Sequence, residues 1–257
     1  MKTIGLAFWL ASGALLLAAG IDRAAAAEIK VLSAGAMKSL VTELGEAFKQ
    51  ETGHTLSMTF DTAGAQSKRL AGGEPADVVV LTDTVIEQLA GQGLVVAGSR
   101  ADIARVGIGV AVREGAPRPD IATPEALKQA LLATKSLVYL DPAGGATSGI
   151  HFAGVLQRLG IADQVKSKTI LIPTGYAAEV VARGEAEMCV HQISEILPVK
   201  GVTLVGPLPK ELQKITIYSA AVAAKATAAE AGRAFVDFMT AGPIKEKFAT
   251  AGLDFRE

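Results

Sequence analysis

The sequence is poor in the residues on which redox and metal chemistry depend. It contains one cysteine, Cys189, and three histidines, His54, His151 and His191, in 257 residues. A single cysteine can form no internal disulfide, and Cys189 lies in an apolar segment where a buried thiol is expected. Three scattered histidines are too few for a dedicated metal site. We expect neither a metal nor another cofactor.

The sequence also lacks an excess of charge of either sign. Lysine and arginine total 25, aspartate and glutamate total 26, and the formal net charge is −1. Proteins that bind nucleic acid usually present a strongly basic face, so this balance argues against a nucleic-acid partner.

Sequence motifs of common catalytic sites are missing as well. The glycine-rich segment 144–149 has no lysine where a phosphate-binding loop needs one, and neither G-x-G-x-x-G after the first predicted strand nor G-x-S-x-G occurs. We therefore assign no catalytic residue and expect a binding protein. An exported enzyme on the same fold is the alternative, and it would need a reactive thiol or an acid–base pair that these motifs do not reveal.

The first 27 residues have the pattern of a targeting signal. Lys2 precedes an uncharged apolar run at 4–19, and four alanines at 24–27 supply the small residues that a signal peptidase needs. The apolar run is marginal for a retained membrane anchor, which needs about 20 residues. We predict cleavage near Ala27 and release of the protein into the periplasm.

From residue 28 onward, short apolar segments alternate with amphipathic ones. The first amphipathic segment carries Leu40, Val41, Leu44 and Phe48 at helical spacing. Strand-like segments occur at 29–32, 55–60, 76–81, 136–140, 169–172 and 187–190. This alternation predicts an α/β fold with mixed, mainly parallel sheets.

Two longer strand-like runs, at 105–113 and 215–222, bracket the middle of the chain. The economical topology is two lobes joined by two crossover strands, with the C-terminal helices returning to the first lobe. We predict that residues 28–106 and 218–257 form one lobe and that residues 107–217 form the other.

Glycine-containing loops follow four of the predicted strands, at 33–37, 61–65, 143–149 and 174–176. Open α/β sheets bind ligands at the carboxyl ends of their strands, so these loops should meet in the cleft between the lobes. Helix N-termini there offer N–H groups to an anion, and a Ser or Thr is expected to cap the helix after the third loop. The predicted ligand-binding residues are Ala36, Met37, Ala63, Gly64, Ser148, Gly149, Thr174, Gly175, Tyr176 and Gln192.

Several segments resemble the periplasmic molybdate-binding proteins of ABC importers, and the resemblance covers nearly all of residues 28–255. The segments that carry it are 31–40 (VLSAGAMKSL), 60–64 (FDTAG), 72–77 (GGEPAD), 141–150 (DPAGGATSGI) and 242–243 (GP). The resemblance implies the two-lobed type II periplasmic binding protein fold. It also implies a monomer that delivers a small anionic ligand to the membrane permease of an ABC importer. A ligand-sensing module for a membrane receptor would have the same sequence features.

The ligand implied by the resemblance is a molybdate-like oxyanion, but three positions depart from the family pattern. The family holds its oxyanion with hydroxyls in the first two loops and with a tyrosine in the second lobe, whereas Ala36, Ala63 and Gln192 stand at those positions here. A small organic carboxylate is therefore the alternative ligand. The basic side chains that could pair with a carboxylate, unless they face water on their helices, are Lys38, Lys68 and Arg69.

Overall fold

The structure, a computed structural model, describes residues 26–241, residue 248 and residues 251–255. The predicted signal peptide lies almost wholly outside the described residues, as does most of the second helix predicted near the C-terminus. None of the described helices is long and apolar enough to cross a membrane.

The described strands form two separate sheets. In chain order they are β1 (Glu28–Ala34), β2 (Thr55–Asp61), β3 (Val78–Thr82), β4 (Ala101–Val106), β5 (Ile108–Arg113), β6 (Leu137–Leu140), β7 (Thr169–Ile172), β8 (Met188–Gln192), β9 (Val202–Pro207), β10 (Thr216–Val222) and β11 (Asp254–Phe255). The first sheet has the order β11-β4-β10-β3-β1-β2, and the second has the order β7-β6-β8-β5-β9.

Helices connect most of these strands. They are α1 (Lys38–Thr52), α2 (Ala63–Ala71), α3 (Asp83–Gly91), α4 (Pro124–Ala133), α5 (Thr147–Arg158), α6 (Ala162–Lys166), α7 (Ala177–Ala182), α8 (Ile193–Ile196) and α9 (Ala229–Met239). Two 3-10 turns, Gly35–Met37 and Pro142–Gly144, precede α1 and α5. Both turns lie at the carboxyl ends of strands, where the sequence predicted ligand-binding loops.

The first sheet is mixed and carries the first lobe. Strand β1 is parallel to β2 and β3, whereas β10 runs antiparallel to β3 and β4. Every residue of β3 is buried, as its run of valines predicts. Helix α9 packs on this lobe, with the ring of Phe235 centred 5.2 Å from that of Phe48 in α1.

The second sheet is also mixed. Strand β6 is parallel to β7 and β8, and β5 is antiparallel to β8 and β9. One face packs around Phe152 of α5, and the other packs around Val181 of α7. Cys189 lies fully buried in the second of these clusters, and burial raises the pKa of its thiol to about 12. The thiol is therefore a small apolar packing group, as expected.

The chain passes from the first lobe to the second at Gly107. The run 105–113, read in sequence as one strand, is divided there into β4 and β5, which belong to different sheets. The return connection lies beside this crossover, because the Gln213 amide donates to the carbonyl of Ile108 at 2.8 Å and accepts from its N–H at 2.9 Å. The predicted two-lobed α/β fold with mixed sheets is confirmed, and the residue-level lobe boundaries stay a prediction. The sheets are less parallel than expected, because four of the described strand pairings are parallel and five are antiparallel.

Candidate functional site

A cleft of about 240 Å³ lies between the two lobes. Its walls are formed by the carboxyl ends of strands and by the first turns of the helices that follow them. The lining residues are Ala34, Gly35, Ala36, Lys38, Phe60, Asp61, Thr62, Ala63, Leu140, Ala146, Thr147, Ser148, Thr174, Gly175, Tyr176, Glu179, Gln192, Glu195 and Tyr218.

Lys38, at the start of α1, supplies a cation to this cleft. Its ammonium lies 5.9 Å from the ring centroid of Phe60 in the first lobe and 5.8 Å from that of Tyr176 in the second. A cation at this distance from an aromatic face is attracted by the ring quadrupole. The two rings therefore help to hold the charge at the junction of the lobes.

At the start of α2, N–H groups are already hydrogen-bonded within the protein. Thr62 is the N-cap, and its Oγ1 accepts from the N–H of Ala65 at 3.1 Å. The N–H of Gly64 donates to the carbonyl of Gly145 in the other lobe at 3.2 Å. A Cβ on Gly64 would lie 2.8 Å from the Cα of Gly145, so this approach of the two backbones requires glycine.

The start of α5 has a different environment, and the Ser or Thr cap predicted for this helix is wrong. Its N-cap is Ala146, whose methyl side chain cannot accept a hydrogen bond. The carboxylate of Asp141 caps the preceding 3-10 turn, where it accepts from the N–H of Ala143 at 2.9 Å. The first N–H groups of an α-helix have no partner within the helix. With no cap side chain present, those of α5 remain available to an anion in the cleft.

Two further contacts join the rims of the cleft. Thr62 Oγ1 donates to the carbonyl of Gly144 at 2.6 Å, and Thr174 Oγ1 donates to Asp61 Oδ1 at 2.9 Å. Each contact joins a first-lobe residue to a second-lobe residue. The structure therefore shows the lobes in contact across the mouth of the cleft.

Gln192, at the end of β8, also reaches the first lobe. Its Nε2 lies 3.3 Å from Thr216 Oγ1 and 3.4 Å from the Tyr218 hydroxyl, whereas its buried Oε1 has no hydrogen-bond partner. Burial, followed by the nearby carboxyl of Glu195, raises the pKa of Tyr218, so its hydroxyl stays protonated. The amide and the phenol therefore act as neutral polar groups.

Glu195 of α8 brings a buried carboxyl to the lining. The residue is 6% exposed, and its Oε2 lies 3.1 Å from His191 Nε2 without the alignment of a hydrogen bond. Burial raises the pKa of Glu195 to about 8 and lowers that of His191 to about 3. At neutral pH the pair is therefore mostly uncharged, with the proton on the carboxyl.

The structure brings most of the predicted binding residues to the cleft, but not all. Those in the lining are Ala36, Ala63, Ser148, Thr174, Gly175, Tyr176 and Gln192. Met37 is fully buried below the surface, and Gly149 packs directly on the carbonyl of Leu140, where a Cβ would clash. Gly64 uses its N–H in the contact with Gly145.

The three basic residues considered as partners of a carboxylate differ in their position relative to the cleft. Lys38 lines the cleft, whereas Lys68 and Arg69 on α2 do not. Arg69 instead pairs with Glu74 through two hydrogen bonds of 2.6 and 2.7 Å.

Sequence reasoning missed the acidic residues of the site. Asp61, Glu179 and Glu195 line the cleft, together with the aromatic side chains of Phe60 and Tyr218. One signal for Glu195 was present: it lies among Ile193, Ile196 and Leu197, where a charged residue is unusual. Nothing in the sequence placed it opposite the first loop of the other lobe.

The described residues contain no group of three or more histidine, cysteine, aspartate or glutamate side chains that could hold a metal ion. Among its described residues, the cleft presents a cation, neutral hydrogen-bonding groups, the open start of α5, the carboxylates of Asp61 and Glu179, and the buried acid Glu195. The cation, the neutral groups and the helix start can bind an anion, and the buried acid can also exchange a proton with it.

Comparison with known proteins agrees with this geometry. The chain matches the family model described as bacterial extracellular solute-binding protein over residues 29–254. It is 36% identical over 252 residues to an aconitate isomerase of a Pseudomonas species, with 95% of each chain covered. It is 28% identical over 238 residues to the molybdate-binding protein of Azotobacter vinelandii, with 90% of each covered.

The solved structure of the periplasmic molybdate-binding protein of Azotobacter vinelandii superposes with a TM-score of 0.76 at 19% identity, over 89% of this chain and 100% of that one. The resemblance inferred from the sequence is therefore confirmed. Because the family model spans nearly all of residues 28–255, the chain belongs to the bacterial extracellular solute-binding proteins.

Proposed function

We propose that this protein binds a small organic polycarboxylate in the cleft between its lobes. The observation that carries the proposal is the presence of Lys38 and Glu195 in one cleft, contributed by opposite lobes. Lys38 supplies a positive charge, and the protonated carboxyl of Glu195 can donate a hydrogen bond to a carboxylate oxygen. A ligand with carboxylates separated by carbon atoms can contact both groups.

A tetrahedral oxyanion is the other ligand that the fold suggests, and the cleft favours it less. Ala36 and Ala63 have no hydroxyls to donate, and each lost donor to a charged group costs about 1.5–3 kcal/mol. The similarity to an enzyme named for aconitate, a tricarboxylate, supports the organic ligand.

The family and the N-terminal sequence support an exported protein. We infer that residues 1–27 are removed and that the mature chain is released into the periplasm as a monomer. There it would carry its ligand to the membrane permease of an ABC importer. Intact-mass measurement of the secreted protein tests the cleavage site, and retention of residues 1–27 in a membrane fraction would overturn it.

Calorimetric titration of residues 28–257 tests the ligand class. We expect cis-aconitate, trans-aconitate or citrate to bind more tightly than molybdate, tungstate or sulfate. Replacing Lys38 with Met should weaken binding of the preferred carboxylate about tenfold, in line with the loss of one charged contact. Lys68→Met is the matched control, because Lys68 lies outside the cleft. Tight binding of molybdate with no response to the carboxylates would overturn the proposal.

Isomerisation of the bound ligand is a second candidate function. The specific observation that favours it is the buried, cleft-lining carboxyl of Glu195, since enzymes place such groups where a proton must move near neutral pH. Incubation of the purified protein with trans-aconitate, followed by proton NMR, tests the activity directly. Appearance of cis-aconitate above the rate without protein is the expected result, and its absence would leave a binding protein only.

A further inference from the structure

We propose that Glu195 is the catalytic acid–base group that moves a proton between the two allylic carbons of an unsaturated polycarboxylate held in the cleft. This inference rests on the second candidate function, isomerisation. Glu195 would carry the proton, and Lys38 would stabilise the charge that develops on the ligand.

The position of the Glu195 carboxyl is fixed from both lobes. Its Oε1 lies so close to Gly35 that a Cβ there would be 2.8 Å away, and its Oε2 lies 3.1 Å from His191 Nε2. Gly35 opens the 3-10 turn before α1, in the first lobe. The carboxyl therefore lies at the junction of the lobes and faces the same cavity as Lys38.

Unsatisfied polar groups are concentrated beside this carboxyl. Five buried side-chain atoms of the described residues lack a hydrogen-bond partner, and four of them belong to residues 191–194: both ring nitrogens of His191, Oε1 of Gln192 and Oγ of Ser194. Native proteins pair nearly all of their buried polar atoms. A run of unpaired ones next to a cleft indicates a segment arranged for polar contacts or proton exchange, and not for stability.

The proposed step needs no group beyond those present. The carboxylate form of Glu195 removes a proton from the methylene carbon, and that C–H electron pair forms a new double bond to the central carbon. The former double-bond electrons move onto the carboxylate attached to the other terminal carbon. The protonated Glu195 then returns the proton to that carbon. The double bond has moved by one position, no atom is gained or lost, and the new bond can have either geometry.

Lys38 stabilises the charge that develops in this step. Its ammonium lies in the same cleft, between an aromatic ring from each lobe. When electrons move onto a ligand carboxylate, that group becomes more negative, and a cation already in position stabilises it without reorganisation. Because the two rings belong to different lobes, this placement depends on contact between the lobes.

A thiol addition mechanism would require a nucleophile in the cleft, and the described lining contains none of that kind. Cys189 lies in the apolar cluster of the second lobe, fully buried, with its thiol pKa raised to about 12. Such a thiol is not ionised near neutral pH. The cleft lining therefore supplies the group for proton transfer, Glu195, but not the thiolate that addition and elimination would need.

The test measures binding and chemistry separately in Glu195→Gln, which keeps the size of the side chain but removes its proton exchange. We expect turnover of trans-aconitate to fall at least 100-fold, with the dissociation constant changed less than about tenfold. Glu195→Asp should recover part of the rate because it restores a carboxyl. Glu46→Gln, on the exposed side of α1, is the matched control and should keep the wild-type rate.

Two further readouts would not respond to a merely structural role. In D2O, the methylene group of aconitate should gain deuterium over repeated turnovers, because the proton carried by Glu195 exchanges with solvent between some of the transfers. The wild-type rate should rise with pH up to about 8, where Glu195 ionises, and this rise should be absent from the residual rate of Glu195→Gln. The titratable or charged groups around Glu195 that could shift this profile are His191, Lys38, Asp61, Tyr176, Glu179 and Tyr218.

The outcomes separate this inference from the proposed function. If aconitate binds and wild-type protein neither isomerises it nor exchanges its methylene hydrogens, the inference is overturned and the binding proposal stands. If Glu195→Gln keeps more than a tenth of the turnover, another residue carries the proton. If no carboxylate binds at all, the proposed function and this inference both fail.

Discussion

Asp77 and Glu195 are buried carboxylic acids in opposite lobes, and their environments differ in almost every respect. Asp77 is 1% exposed and Glu195 is 6% exposed. Asp77 accepts from the N–H groups of Lys30, Thr227 and Ala228 at 2.7–2.9 Å. These bonds join β1 to the start of α9.

Their pKa values move in opposite directions. Burial alone would raise the pKa of Asp77, but the hydrogen bonds from Lys30, Ala228 and Thr227 outweigh it, and the pKa is lowered. Glu195 has no comparable donors, and burial raises its pKa to about 8. The comparison shows that burial does not decide the role of an acid. A carboxylate surrounded by donors holds the fold together, whereas one left without donors stays protonated and is available to a ligand.

The largest expected effect is the pH dependence of stability that Glu195 causes. Between its ordinary pKa of 4.5 and its folded value of about 8, the unfolded chain has lost the proton that the folded protein keeps, so stability falls as the pH rises. We expect the free energy of unfolding of the wild type to fall by about 3–5 kcal/mol over this range relative to Glu195→Gln. Urea denaturation of both proteins from pH 4.5 to 8.5 measures it.

His191 also titrates differently in the folded protein and lies 3.1 Å from Glu195, so its contribution does not cancel by itself. The slope above about pH 7, where His191 is neutral in both the folded and the unfolded chain, isolates Glu195. Parallel stability curves for wild type and Glu195→Gln would show that Glu195 is ionised in the folded protein, and the comparison with Asp77 would fail.

The next largest effect is expected for Asp77→Asn. The new amide keeps one acceptor oxygen and turns an NH2 group toward the N–H donors that Asp77 now satisfies. We expect a loss of about 3 kcal/mol in unfolding free energy near neutral pH. The loss should shrink as the pH falls below 3.8, because protonation then removes the advantage of the carboxylate in the wild type.

Urea denaturation measures the Asp77→Asn effect, and ligand titration of the folded variant is its control. Asp77 lies outside the cleft, so the affinity should stay within about threefold of the wild type if the lost contacts are purely structural. A variant of normal stability with weakened ligand binding would reverse the roles that we assign to the two acids.

A smaller effect is expected for Thr227→Val, which removes one donor to Asp77 and keeps the shape of the side chain. The Oγ1 of Thr227 lies 3.2 Å from Asp77 Oδ1, and the residue is exposed. We expect a loss of about 1 kcal/mol, measured by the same denaturation. An unchanged stability would mean that the backbone donors alone satisfy Asp77.

The smallest effect is the coupling between the two acids. Because Asp77 lies in the first lobe and Glu195 in the second, with no shared partner, the stability changes of Asp77→Asn and Glu195→Gln should add to within about 0.5 kcal/mol. A double-mutant cycle at pH 7 measures the coupling. A larger value would show that the lobes transmit strain between the two sites.

Much of the fold could be predicted from the sequence, because its signals are local. The period of Leu40, Val41, Leu44 and Phe48 predicted α1, and the valine run predicted the buried strand β3. Features that depend on strand pairing between distant segments were predicted less well. The run 105–113 has continuous strand character, and only the pairing of β4 and β5 with different sheets shows the break at Gly107.

The candidate site was predicted only in part, because some of its features have local sequence signals and others do not. Loops at strand ends are visible in the sequence, and seven of the ten predicted residues line the cleft. The predicted cap of α5 was wrong because the N-cap position falls on Ala146, one residue before Thr147. Gly149 serves the packing of α5 on β6. The general position of a loop follows from topology, but the direction of each backbone N–H depends on the local turn.

The sequence by itself determined the family, the two-lobed α/β pattern and the loops that form the cleft, because apolar periodicity and glycine placement act over a few residues. Only the tertiary structure decided that Lys38 lines the cleft and Lys68 does not, and that Glu195 lies beside Gly35 of the other lobe. The charge state of a buried acid depends on every donor and every layer of protein around it. Those neighbours come from segments that are distant in sequence, so the chemistry of the site arises only when the lobes meet.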